Sequence, residues 1–516
     1  MRTVLAIAIA VVLSAGTATA KTIVGTGSPD RLSGTARTDS IFGGGGGDRV
    51  VAGAGADFLH GGPGRDLLDG GGGNDRIAAQ YDGARDRISC GPGLDVVNAD
   101  LLDTLTPDCE LVSRRLSRDP YNDAEAQHET EVEPDSFTFE RTTVTTFQVG
   151  RRFDGGAANI GFAVSNDDGR TWRSGLLPRL TVASSPAGTS NRASDPVVAY
   201  DATSRTWLIG TLAIQGEITR LTISRSPDGF TWSDPVVAAE GRSTAGIAFD
   251  KEWLVCDNGA TSVFRGRCYL AYSDVVRGGA LGVTSSVDGG LTWSAPTLVS
   301  LRDAVGVFPV VKPAGELVLV YYVDPGRIGA AVSTDGGVSF AAPVIVAETR
   351  FKSARGLRFF PLPSADVDPT GRVWAVWHDC RFGSDCSTNS VVVSTSTDGI
   401  SWSQPRAVTS GRNTFIPAIG IHGASGRAAI AYYVIRPGGI DLELVESRVG
   451  GSGWTAPRRL SAQTMRTEWI PNTVSGRMLA DYISVHYAGT RPLVLWALAS
   501  ETVGGSFRQA IYATRG

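Results

Sequence analysis

The sequence predicts an all-β chain in two parts, an N-terminal parallel β-roll and a larger domain of short antiparallel strands. Three observations carry this. Aspartates recur every nine residues from Asp30 to Asp75 among runs of glycine. Beyond residue 128, short alternating apolar segments follow one another with no convincing helix: Thr142–Val149, Leu317–Val323, Arg372–Trp377, Ala428–Val434 and Leu493–Leu498. A turn of the form S-x-D-x-G-x-T-W recurs through that second part.

Residues 1–20 read as a secretory leader. Met1-Arg2 supplies the positive start, Thr3 to Leu13 an apolar run, and Ala18-Thr19-Ala20 an A-x-A cleavage site. That run is too short to span a bilayer, and no other segment reaches the length a membrane helix needs. The expectation is an exported, extracellular protein with no membrane span.

Residues 21–112 are expected to form the roll. Asp30, Asp39, Asp48, Asp57, Asp66 and Asp75 keep strict phase, and two residues after each stands an aliphatic: Leu32, Ile41, Val50, Leu59, Leu68 and Ile77. The unit Gly61-Gly62-Pro63-Gly64-Arg65-Asp66-Leu67-Leu68-Asp69 is a full G-G-x-G-x-D-x-U-x nonapeptide. Each unit gives a glycine-rich turn and a very short strand, and two units make one coil of about 18 residues. The aliphatic points inward, and the turn needs glycine for backbone angles closed to other residues. Turn carbonyls and the aspartate carboxylates are hard oxygen ligands suited to calcium. Units alternate sides, so Asp30, Asp48 and Asp66 should line one edge and Asp39, Asp57 and Asp75 the other. After Asp75 the period breaks: Asp86 comes eleven residues later, and Asp95 nine after that. This segment, over residues 22–98, resembles the RTX or haemolysin-type repeats, and the resemblance implies calcium as the ligand of the six aspartates.

The six cysteines fall into local pairs, Cys90/Cys109, Cys256/Cys268 and Cys380/Cys386. Export favours disulfides, and Cys90–Cys109 would cap the roll. Residues 113–127 are polar and charged and read as a linker, leaving 128–516 for the second domain.

The strand spacing there allows a sandwich, a barrel or a propeller. Ser165-Asn166-Asp167-Asp168-Gly169-Arg170-Thr171-Trp172 and Ser286-Val287-Asp288-Gly289-Gly290-Leu291-Thr292-Trp293 fit the recurrent turn, and Ser333 to Phe340 fits with conservative changes. Degenerate copies end at Trp232, Trp402 and Trp454. The Asp can cap the turn amides, Gly takes a positive φ, and the aromatic packs between neighbouring sheets. These turns resemble Asp boxes, or BNR repeats, and residues 128–516 are similar to a sialidase-type β-propeller. In that family the boxes lie on the rim, away from the active site. Seven segments open a repeat, at Glu129–Val132, Asp195-Pro196, Asp250-Lys251-Glu252, Phe308-Pro309, Phe360-Pro361, Ile416-Pro417 and Asp481-Tyr482. The count favours seven blades over the six of sialidases. The last blade has chain for only three strands, and its fourth would come from near the linker.

The resemblance implies three arginines on a substrate carboxylate, a Tyr–Glu nucleophile pair and an Asp acid. The Phe/Tyr-Arg-Ile/Leu-Pro motif that carries the first arginine is absent. Candidates at or near the starts of inner strands are Arg192, Asp195, Asp250, Glu252, Arg358, Asp379, Arg381 and Tyr482. The plainer reading is that such groups satisfy turn amides, as the Tyr/Trp-x-Asp endings at Asp274, Asp324 and Asp379 suggest. The net charge of −4 and the chain-wide use of arginine over four lysines give no basic nucleic-acid surface. The five histidines lack ligand spacing, and no G-x-S-x-G or P-loop occurs. The expected function is calcium-dependent folding of a secreted protein whose propeller recognises an extracellular glycan or other surface ligand. The alternative is an exo-α-sialidase or related glycoside hydrolase, and a third class is a structural or adhesive protein.

Overall fold

The computed structural model describes residues 19–300, 302–448 and 453–516. The expected leader falls, up to Ala18, outside the described residues. The chain separates into two compact units, one holding residues up to Asp95 with Leu102–Cys109, the other Val96–Leu101 with Glu110–Gly516.

The first unit is a stack of very short parallel strands. Thr22–Val24, Ser40–Phe42, Phe58–His60 and Arg76–Ala79 pair in that order in one sheet. Arg31–Ser33, Arg49–Val51, Leu67–Asp69, Arg87–Ser89 and Thr104–Leu105 pair in the other. The middle residue of each three-residue strand points inward, because side chains alternate across a strand. Ile41, Val50, Leu59, Leu68, Ile77 and Ile88 accordingly stack as the buried core. Glycine is obligatory where turns stack: a Cβ on Gly62, at φ +92°, would lie 1.9 Å from the Gly44 carbonyl oxygen.

The second unit consists of consecutive antiparallel meanders. The first two are Val132–Phe139, Thr142–Arg151, Ala157–Ser165, Arg173–Leu176 and then Arg192–Asp201, Thr206–Gln215, Ile218–Ser226, Val236–Arg242; the single pair Ala157–Ala193 joins them. Four-stranded sheets follow from Phe249 to Ser300, from Ala304 to Glu348, from Ser364 to Ala407 and from Asn413 to Arg459. A seventh group takes Ser484–Ala488, Arg491–Ala499 and Gln509–Arg515 and completes itself with Leu111–Arg115, antiparallel to the C-terminal strand. The first strand of each group lies beside that of the next, and the seventh returns to the first, where the Ser136 amide donates to Ser484 Oγ at 3.1 Å. Apolar residues fill the spaces between groups: Val197, Leu208 and Leu221 of the second meet Leu254, Leu270 and Tyr272 of the third.

Residues 113–127 are not the open linker the sequence suggested. Ser113 to Arg115 belong to the closing strand, Leu116, Ser117 and Asp119 are buried, and Asp119 accepts the Glu129 amide at 2.9 Å. Three local disulfides join Cys90–Cys109, Cys256–Cys268 and Cys380–Cys386.

The recurrent turns are built by one set of bonds. Asp288 Oδ1 accepts the Leu291 and Thr292 amides, Oδ2 accepts the Thr292 hydroxyl at 2.6 Å, and Trp293 Nε1 donates to the Gly290 carbonyl. Asp167, Asp228, Asp335 and Asp398 accept the corresponding amide in their turns, and the indole bond recurs at Trp172 and Trp402. Trp172 and Trp232 are 8% exposed, whereas Trp293 and Trp402 are half-buried against a neighbouring group.

Candidate functional site

Each unit holds one candidate site. In the first, the aspartates form two ladders. Oδ1 of Asp48, Asp66, Asp86 and Asp103 accepts the amide of Asp30, Asp48, Asp66 and Asp86, at 2.8, 2.8, 2.8 and 3.0 Å. On the other edge Asp57, Asp75 and Asp95 accept from Asp39, Asp57 and Asp75 at 2.6, 2.8 and 2.7 Å. The second oxygens of Asp48, Asp57, Asp66, Asp75 and Asp86 are buried with no hydrogen-bond partner. Burial pushes the Asp66, Asp75 and Asp86 carboxyls up to about 6, 7 and 8, with neighbouring aspartates adding to it. An orphaned buried carboxylate oxygen is costly, and a hard divalent cation among such oxygens and turn carbonyls removes that cost. The residues therefore fit calcium. Asp30 and Asp39, at the start of the roll, differ: their Oδ2 atoms already accept from Thr26 and Thr35. They read as an N-terminal cap as well as ladder members. Six aspartates are assigned to calcium from the sequence, with Asp86 and Asp95 noted beyond a break in the period; the ladders run on through both and reach Asp103.

The site of the second unit is made by bulges. The first strands of five groups slip register at one place, between Val132/Asp135, Ser194/Val197, Asp250/Trp253, Val305/Phe308 and Phe415/Ala418. At each slip one residue takes positive φ: Glu133 (55°), Asp195 (47°), Lys251 (53°), Gly306 (64°) and Ile416 (49°). A bulge re-aims the side chain it carries, and the left-handed region costs a non-glycine residue about 1–3 kcal/mol. Three of these residues meet. Lys251 Nζ lies 2.7 Å from Asp195 Oδ1, 2.7 Å from Asp481 Oδ2 and 3.2 Å from Glu133 Oε1. Arg358 reaches Asp481 at 2.7 Å through each of two guanidinium nitrogens. Burial opposes ionisation of Asp481, but Lys251 and Arg358 outweigh it and hold the carboxyl at about 2. Burial pushes Glu133 up to about 8, against the pull of Lys251. Burial, then the Asp195 charge, raises Asp250 to about 7. The cluster thus sets firmly ionised groups beside carboxyls that exchange protons near neutrality.

Of the sequence candidates, Asp195, Asp250, Glu252, Arg358 and Tyr482 surround this cluster. Both Glu252 oxygens are buried without a partner, and burial pushes its carboxyl well up. Tyr482 donates to the Pro196 carbonyl at 3.1 Å and packs edge-on against Trp253, whose ring lies 4.4 Å from that of Phe308 at a tilt of 34°. Arg192, Asp379 and Arg381 take other partners. Arg192 pairs with Asp154 at 2.8 Å, and Arg381 with Asp379 at 2.7 Å, where Asp379 caps a short 3₁₀ turn. Glu133 was missed. The phrase Glu133-Pro134 matches Asp195-Pro196 and Ile416-Pro417, but the expected opening at Glu129–Val132 was set too early to include it. A cavity of about 480 Å³, lined by Asp135, Trp253, Phe308, Lys312, Asp366 and His486 among others, adjoins the aromatic residues.

A family model for the RTX calcium-binding nonapeptide repeat matches residues 24–59 and 42–77. No curated protein sequence matches the chain. Among solved structures, the chain is similar to the Hadza microbial sialidase Hz136 at 18% identity and a TM-score of 0.42, over 59% of this chain and 64% of that one. It is similar to the NanB sialidase of Streptococcus pneumoniae at 13% identity and a TM-score of 0.41, over 77% and 70%. It is also similar to a PL25 ulvan lyase, at 12% identity and a TM-score of 0.46, over 76% and 97%. The chain spans 64% of the length of the first of these.

Proposed function

We propose, on the premise that residues 24–77 are RTX calcium-binding repeats, that this is a secreted protein whose calcium-folded roll accompanies a seven-bladed propeller with Asp-box turns. The propeller recognises a neutral, hydroxyl-rich extracellular glycan at its central cluster. Export is supported by the leader pattern at residues 1–20 and by three disulfides. The propeller reading is supported by the seven four-stranded groups whose first strands follow one another back to the start. The observation that carries the ligand class is the commitment of two central cations. Lys251 is shared among three carboxylates and Arg358 holds Asp481 through two nitrogens. Such a site offers carboxylate acceptors and partly neutralised donors, which suit sugar hydroxyls. A sialoside carboxylate needs convergent charge-assisted donors instead, and Arg192 and Arg381 are paired elsewhere.

The glycoside-hydrolase reading draws on Glu133 and Asp250, whose pKa values lie near neutrality beside an ionised Asp481. Sialidase turnover is expected to be weak or nil, because Tyr482 is buried and bonded to a backbone carbonyl. The test is binding of the purified chain, in calcium, to an array of neutral and sialylated glycans, with turnover of a fluorogenic sialoside measured beside it. Neutral-glycan binding that Arg358→Gln weakens roughly tenfold, as loss of a charged hydrogen bond does, and that Arg381→Gln spares, is the expected result. Strong sialic acid release, or no binding to any neutral glycan, contradicts the reading.

A further inference from the structure

The ninefold period breaks at one turn of the roll, and the break places a side chain where the regular turns have none. Gly46 and Gly64 sit eighteen residues apart at the same place in successive coils, so closely stacked that a Cβ on Gly64 would lie 1.7 Å from the Gly46 carbonyl oxygen. Eighteen residues further on stands Asp82, half-buried. Asp66 then bonds to Asp86, twenty residues on, so two extra residues follow Asp82. Asp82 stays in the stack: its Oδ2 accepts the Gly64 amide at 3.1 Å and its Oδ1 the Ala84 amide at 2.9 Å.

One carboxylate oxygen from each of Asp66, Asp82 and Asp86 comes within 4.8 Å of the others. Asp66 and Asp86 are fully buried, and Oδ2 of each has no hydrogen-bond partner. Calcium–oxygen bonds of about 2.3–2.6 Å place two ligands of one ion at most about 5 Å apart, so a single calcium ion can bind all three. Residues 82–86 also lie beyond the repeats matched at 24–77.

We propose that Asp82 turns the coil between Asp66 and Asp86 into a three-carboxylate calcium site, the tightest of the roll. This rests on the calcium reading of the regular repeats and adds a ligand they do not have. Affinity in oxygen-ligand sites rises with the number of charged ligands, so this ion should bind first and leave last.

The experiment is calcium titration of the full chain by competition with a chromophoric chelator, for the wild type, Asp82→Asn and Asp82→Gly. The glycine variant restores the residue used at this place in the regular turns, so it guards against misfolding by the asparagine. The expected result is one step tighter than the rest in the wild type, weakened about tenfold or more in both variants, with the other steps kept. Unchanged titration in both variants overturns the role of Asp82 and leaves the regular sites standing. No calcium uptake by the wild type overturns this inference together with the reading it rests on.

Discussion

Lys251 shows how much one residue can organise. Its ammonium is the shared countercharge for Glu133, Asp195 and Asp481, all nearly inaccessible to solvent. The buried carboxyls for which desolvation outweighs any nearby cation carry a pH signature. Glu133 is raised to about 8, and Asp135, Asp250 and Asp366 to about 7, by burial in each case. A carboxyl whose folded pKa is raised contributes stability fully present below its unfolded value near 4 and lost as pH rises through the folded value. The buried His378 and His486, lowered to about 3 and 4 by burial, act the other way, but only below the ordinary histidine value of 6.5. Between pH 6.5 and 8 the carboxyls act alone. Calorimetry should show the melting temperature of the second unit falling across that window, and a flat or rising trace contradicts the protonation assigned to these groups.

At the scale of elements, the bulge and the recurrent turn divide the labour of the second unit. The turn was legible in sequence because its serine, aspartate, glycine and aromatic act within eight consecutive residues. The bulge was half legible. Asp195, Asp250 and Tyr482 were found as polar residues at strand openings, whereas Glu133 was not, because the first opening was placed one residue short of it, and its meeting with Lys251 spans 118 residues of sequence. No local pattern records such a meeting. Arg381 misled for the opposite reason: its local partner Asp379 satisfies it two residues away. Turn aromatics should also differ in weight. Trp232, 8% exposed among Phe162, Leu180 and Trp207, should cost roughly 3–5 kcal/mol on replacement by alanine. Half-buried Trp293 should cost clearly less. Urea denaturation of the two variants checks the ranking, and equal losses would assign both rings the same packing.

At the scale of the whole molecule, the two units were legible to different degrees. In the roll nearly every position of the period is constrained: glycine by the stacked carbonyls, the aliphatic by the core, the aspartate by the next amide. Six aspartates in strict phase were therefore legible, and Asp86 and Asp95 were noted beyond the break but not assigned to the ladders, because an insertion shifts the phase there. The same constraint is expected to make the roll depend on calcium. Five buried carboxylate oxygens without hydrogen bonds repel one another along two ladders, and a cation that binds only the folded form stabilises it by an amount that grows with the logarithm of its concentration. The second unit has extensive apolar packing of its own. The measurement that tests the account most directly is limited proteolysis of the full chain with calcium and with EGTA, the fragments mapped by mass. The account predicts that EGTA opens cleavage within residues 21–109 while a fragment covering residues 110–516 persists, and that added calcium closes those sites. An identical, resistant pattern in both conditions would contradict it.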